Sequence, residues 1–179
     1  SKASYSVAGP MEAYRYFALS ASPDISDVLV DSPEGNIINI YALMEGGEIP
    51  SDEILDEIEA IVSADDVRPM TDLVTALAPE QIEYDIEIKY YTTVSNEPQA
   101  VITVESAGGA IDQYNEWQTA ALGRDINPDY LRKFVLAPSD GTTAVDRIDV
   151  VKPEVTAISN KQVAKFSGNL TVTHEVLGG

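Results

Sequence analysis

The chain has 179 residues, 44% of them hydrophobic, with no cysteine and a formal net charge of −19. This is globular composition, and a chain this long buries roughly 70% of its unfolded surface without covalent staples. The composition excludes disulfides, thiolate chemistry and cysteine-based zinc sites, and the acid excess argues against nucleic acid and anionic membranes as partners.

The absence of cysteine fits a reducing cytosol. The charge suits a solvated acidic surface or docking against a basic partner. No segment approaches the roughly 20 apolar residues of a membrane span, so no membrane insertion is expected. The opening SKASYSVAG carries no apolar h-region.

Pro10 followed by MEAYRYFALSA predicts a helix, because proline suits the first turn, where its missing N–H has no partner. Met11, Tyr14 and Ala18 recur at helical spacing, as do Ala13, Phe17 and Ala21. Pro23 should stop the helix near Ser22. Strands are predicted over 25–30 and 36–43, with Ile38, Ile40 and Ala42 on one face and the turn chemistry of 31–35 between them.

Gly46-Gly47 opens a break. SDEILDEIEAIVSA then predicts a helix with Ser51 as its N-cap and Asp52 and Glu53 in the first turn. Ile54, Leu55, Ile58, Ile61 and Val62 form one apolar stripe, and Asp56, Glu57 and Glu59 point elsewhere. A strand over 73–78 would close a helix plus β-β-α-β unit. Pro79-Glu80 marks the predicted boundary between units spanning 1–79 and 80–179.

Strict alternation of Ile82, Tyr84, Ile86, Ile88 and Tyr90 with acids and Lys89 predicts a strand with one wet face. Apolar spacing over 99–122 predicts one helix running through Gly108-Gly109, which would mark close approach of another backbone. Asn127-Pro128 starts a further helix, with Leu131, Phe134 and Val135 inward. Asp140-Gly141 turns the chain. A strand over 145–151 and two short ones, over 162–165 and 170–176 around Gly168-Asn169, finish it. The fold class is α+β: a helix plus β-β-α-β, followed by β-α-α-β-β.

No catalytic, cofactor-binding or metal-binding residue emerges. His174 is the single histidine, in an alternating strand, and no triad spacing accompanies it. The carboxylates of 52–59 share one solvated helical face, whereas glycoside hydrolysis needs two acids in unlike environments. Asp125-Ile126-Asn127-Pro128-Asp129 imitates a calcium loop but lacks its glycine and its closing glutamate, and helix capping by Asn127 explains the same residues. Gly46-Gly47 and Gly108-Gly109 are lone pairs with no phosphate-loop spacing. The 11 lysines and arginines form no cluster.

Several segments carry a family resemblance in their order and spacing. They are SYSVAGP with AYRYFALSA, PDISDVLVDSPEGNIINIYAL, GGEIPSDEILDEIEAIVSADDVRPMTDLV, LGRDINPDYLR and VAKFSGNLTVTHEVLGG. Together they resemble the C-terminal half of the baseplate assembly protein J family of contractile phage tails. The most diagnostic piece is Val67-Arg68-Pro69-Met70-Thr71-Asp72, read as a structural joint in which Pro69 ends the helix and Arg68 has a carboxylate within reach.

The resemblance implies a non-enzymatic structural subunit of a phage or phage-like contractile injection particle. Its partners would be other baseplate wedge and hub proteins, with a homo-oligomer allowed in the assembled ring. It would reside in the virion or tail-like particle after synthesis in the bacterial cytoplasm. The chain opens in the middle of the family pattern, which predicts a fragment whose N-terminal part is missing. Tyr14, Tyr16 and Phe17 are candidate docking anchors, with burial in the core as the alternative. The competing reading is an extracytoplasmic sugar- or peptide-binding module.

Overall fold

The computed structural model describes residues 9–64, 67–69, 71–138 and 141–178. They fall into two units. The first takes the chain up to residue 81, with 120–123 and 159–163. The second takes 82–119, 124–158 and the chain from 164 onward.

In the first unit, Pro10 sits in the opening turn of helix α1 (Pro10–Leu19), as its fixed φ favours. The Ser20 hydroxyl donates to the Phe17 carbonyl at 2.6 Å and closes the last turn. Strands β1 (Ile25–Glu34) and β2 (Ile37–Met44) pair antiparallel, with Val28 opposite Ala42 and Glu34 opposite Ile37. The turn is therefore shorter than 31–35, because the ladder continues, through an irregularity, to Glu34.

Helix α2 (Asp52–Val62) starts where Ser51 Oγ accepts the Ile54 N–H at 3.3 Å. It leads to β3 (Leu73–Leu77), which runs parallel to β2 from Ile37 opposite Leu73 to Tyr41 opposite Leu77. The sheet order is β1-β2-β3, so α2 is a crossover linking two parallel neighbours. Tyr14, Ala18, Val28, Ile38, Ile40, Ala42, Ile58, Val62 and Ala76 share one core. Burying each valine or isoleucine among them stabilises by about 1.5–3 kcal/mol.

Pro69 does not end α2. The helix stops at Val62, where the Ser63 N–H bonds back to the Glu59 and Ile61 carbonyls. A turn then carries the Val67 and Arg68 N–H groups to the Ala64 carbonyl.

The second unit is built on β4 (Glu80–Thr93), β5 (Arg147–Lys152) and β6 (Gln162–Leu177), in the order β5-β4-β6. β4 and β5 are antiparallel, with Ile88 opposite Val150 and Tyr90 opposite Ile148. Along β4 and β6 the side-chain contacts climb together, Asp85 with Ser167 and Lys89 with Glu175, so these strands run the same way. Tyr84, Ile86, Ile88 and Tyr90 face a core with Val104, Ile111, Tyr114, Leu131 and Val135.

Two expectations fail here. The predicted helix over 99–122 is two, α3 (Glu97–Glu105) and α4 (Ala110–Gln118), so with α5 (Pro128–Leu136) the described residues of the unit hold three helices and not two. A Cβ on Gly109 would lie 2.7 Å from the Thr103 carbonyl oxygen and 2.8 Å from that of Ser106. The crowding expected at the glycine pair is real, but it comes from the end of α3 folding back on the break between helices.

The two predicted short strands at the C-terminal end are one strand, β6. Gly168 stands inside it at φ +90°, a conformation that glycine reaches without cost. The strand runs on through it, where the sequence suggested a link between two short strands. Asp140 lies outside the described residues, and the Gly141 N–H bonds to the Pro138 carbonyl at 3.0 Å.

Candidate functional site

Arg68 and Asp72 of the 67–72 motif join Tyr14 in a polar cluster of the first unit. α1 carries Tyr14 into the core, where its hydroxyl donates to Asp72 Oδ2 at 2.5 Å. Burial first, then this bond to an anion, push the Tyr14 phenol upward from its ordinary pKa. Among the described residues, the hydrogen bonds of Arg68 go to backbone oxygens. Its Nη1 donates to the Asp72 carbonyl at 2.6 Å and its Nε to the Ser63 carbonyl at 3.2 Å. One rigid guanidinium thus pins both ends of the return from α2 to β3. This is architecture: a tyrosine held protonated, an acid holding its hydroxyl, and an arginine spent on backbone oxygens.

The aromatic trio divides. Tyr14 is wholly buried, Phe17 packs against the core from a half-buried position, and Tyr16 is 55% exposed. Met11, on the same helix, is 40% exposed. Of the three predicted anchors, Tyr16 alone offers a largely free ring, in edge contact with Phe17 at 5.1 Å.

His174 is on β6, as expected, and stacks on Tyr90 at 5.1 Å between ring centroids. Its Nε2 lies 3.5 Å from Glu97 Oε1. No nucleophile completes a catalytic arrangement with it among the described residues. The acidic face of α2 is solvated at Asp52, Asp56 and Glu57, but Glu59 accepts the Ala76 N–H of β3 at 2.9 Å. Among the described residues no group of three or more histidines, aspartates or glutamates is placed to hold a metal ion.

The 125–129 segment is structural in every bond. Asn127 Oδ1 caps α5 by accepting the Asp129 N–H at 3.0 Å, and Asp125 Oδ1 accepts the Ile158 N–H at 3.0 Å. Sequence reasoning missed the residue that organises it. Gln118 is fully buried. It accepts from the Tyr114 hydroxyl and the Asn127 N–H, both at 2.9 Å, and donates to the Asp125 carbonyl at 3.0 Å. A glutamine at an apolar-periodic position was the available signal. A buried amide needs several partners, and a nearby turn supplies them.

No helix of the described residues is long and apolar enough to cross a membrane. Both cavities of note are shallow and mixed in lining. One, of about 290 Å³, is bounded by Glu105, Ile111, Asp112, Leu170 and Val172. The other, of about 400 Å³, includes Glu83, Asp85, Lys152 and Glu154. The acids of both stand at exposed or half-buried positions.

Residues 6–78, which take in α1 through β3, match the Baseplate J-like central domain. Over 164 residues the chain is 27% identical to baseplate protein J of Escherichia phage P2, an overlap covering 90% of this chain and 51% of that protein. Both matches are to baseplate J-like proteins, which is the likeness that the sequence pattern carries.

The chain spans about half the length of the P2 protein it matches. Its fold is also similar to a chain in the cryo-EM structure of the anti-feeding prophage (AFP) baseplate, at a TM-score of 0.56 and 14% identity. That overlap covers 86% of this chain and 36% of the other. At such low identity the likeness speaks for the fold alone, and the fold it supports is the α+β arrangement described above.

Proposed function

We propose that this chain is a structural component of a contractile-tail baseplate, working by protein–protein assembly and making or breaking no bond. The observation that carries the reading is the match of residues 6–78 to the Baseplate J-like central domain, together with the wider overlap with the P2 protein. The polar clusters agree with it: Tyr14, Asp72, Arg68 and Gln118 all spend their hydrogen bonds on holding the fold. The partners are other baseplate proteins, and the place of action is a virion or tail-like particle.

The −19 charge favours a basic neighbour. The test is co-expression with the baseplate proteins encoded beside it, followed by affinity capture at low and high salt. Co-purification of a baseplate neighbour, weakening as salt rises, is the expected result. Particles that assemble normally without this chain would refute the structural role. Capture indifferent to salt would refute the electrostatic part.

A further inference from the structure

β6 ends the sheet order β5-β4-β6, so one of its edges faces away from β4. Leu170, Thr171, Thr173, His174 and Glu175 are all exposed. Among the described residues, no backbone outside the sheet hydrogen-bonds to 170–177. On the N-terminal side this free stretch is bounded by the positive-φ Gly168, where the Asn169 N–H is already taken by Ser167 Oγ at 3.1 Å. An exposed edge of this length is a template for another strand unless it is blunted. No proline or lysine blunts it from Leu170 to Leu177, and Glu175, its one acid, is paired with Lys89 at 3.1 Å.

The cavity of about 290 Å³ lies against the same stretch. Leu170, Val172 and Ile111 give it apolar walls, and Glu105 and Asp112 give it two acids. Both acids are held in place: Glu105 accepts from the Tyr90 hydroxyl at 2.6 Å, and Asp112 accepts the Gly108 N–H at 2.8 Å. An apolar floor with fixed carboxylates suits a long cationic side chain, whose methylenes cover Leu170 and Val172 while its charge meets the acids.

We propose that the outer edge of β6, from Leu170 to Leu177, receives an extended, lysine- or arginine-bearing strand of a neighbouring subunit, with one basic side chain filling this cavity. Backbone hydrogen bonds supply the attraction, and the cavity supplies selectivity. The opposite sheet edge, β5, is the weaker candidate. It runs directly into Pro153, which cannot donate, and Asp85 beside it already has Lys152 at 3.7 Å. That the strand comes from a neighbouring subunit rests on the assembly reading. The edge and its cavity do not, and the experiment below addresses them alone.

The probe is a short peptide alternating lysine with valine, compared with the same peptide carrying glutamate for lysine and with one carrying proline at alternate positions. The expected result is saturable binding of the lysine peptide, with new protection of 170–177 from amide hydrogen exchange. The glutamate peptide should bind roughly tenfold more weakly or worse, and the proline peptide should give no protection. The double variant Glu105→Gln/Asp112→Asn keeps both hydrogen-bond acceptors and removes both charges. With an unchanged melting temperature it should lose roughly tenfold in affinity for the lysine peptide. Equal binding of the lysine and proline peptides, protection elsewhere in the chain, or a double variant with undiminished affinity would overturn the proposal.

Discussion

The Glu59 carboxylate of α2 accepts the backbone N–H of Ala76 on β3 at 2.9 Å. One side chain thereby ties the crossover helix to the strand it delivers. Ala76 is a buried position on an edge strand, so its N–H would otherwise need water. Glu59→Ala should cost about 1 kcal/mol in urea unfolding, and Glu59→Gln, which keeps an acceptor, should cost less. Equal losses would mean that the bond carries no share of the stability.

Tyr14→Phe removes the hydroxyl that satisfies Asp72 and leaves the acid in place. The expected loss is about 1–3 kcal/mol, the usual penalty for stranding a buried polar group. Tyr14→Phe combined with Asp72→Ala should cost less than the sum of the single changes. Strict additivity across the double-mutant cycle would show that the two side chains are not coupled.

Arg68→Lys should destabilise even though the charge survives. A single ammonium cannot reproduce the fork that reaches the Ser63 and Asp72 carbonyls together. Faster amide exchange around 63–72, with α1 unaffected, is the readout.

Gly109→Ala forces a methyl group against two carbonyl oxygens, and overpacking of this kind costs about 1–3 kcal/mol. Gly35→Ala meets open space and has no left-handed backbone to strain, so it should be nearly neutral. Thermal melts of the pair separate crowding from any general intolerance of glycine replacement.

Asp85 accepts from Ser167 Oγ at 2.5 Å and from Asn169 Nδ2 at 3.2 Å, with Lys152 nearby. The Ser167 bond first, then the Asn169 bond, hold its carboxyl below the usual aspartate pKa. A depressed carboxylate adds stability above its unfolded pKa of about 3.9 and loses it as pH falls through the folded value. Asp85→Asn should therefore flatten the acid limb of stability measured from about pH 5 downward and leave the neutral-to-basic limb alone.

Much of the fold was legible because its signals were local and redundant. Ser51 before an acidic first turn, Pro10 and Pro128 in first turns, and strict alternation from Ile82 to Tyr90 each state one conformation. Tertiary context decided the rest. Glu59 belongs to an acid-rich run, and only the return of β3 makes it a backbone acceptor. The periodicity of 99–122 passes through two helices, because both turn their apolar sides to the same core while Gly108 and Gly109 redirect the chain. Gly168-Asn169 has turn composition, yet Asp85 on the neighbouring strand holds the flanking Ser167 and Asn169 and the strand runs on. The likeness to baseplate J proteins was legible as a family pattern. The polar bonds of Gln118, formed by a residue inside an apolar register, were not.

The first unit is not a contiguous length of polypeptide. Residues 120–123 and 159–163 belong to it: the Leu122 N–H satisfies Asp27 at 2.9 Å, and Lys161 pairs with Asp31 at 3.1 Å and lies over the Tyr41 ring. During synthesis, the stretch matching the family domain emerges from the ribosome before these two returning segments exist. Asp27 lacks its Leu122 partner until the ribosome has passed residue 122, and Asp31 lacks Lys161 until residue 161 has been read. A nonsense codon soon after β3 would therefore release a product that carries every strand of its sheet yet lacks the two late stitches, and such a product should be readily trimmed by proteases.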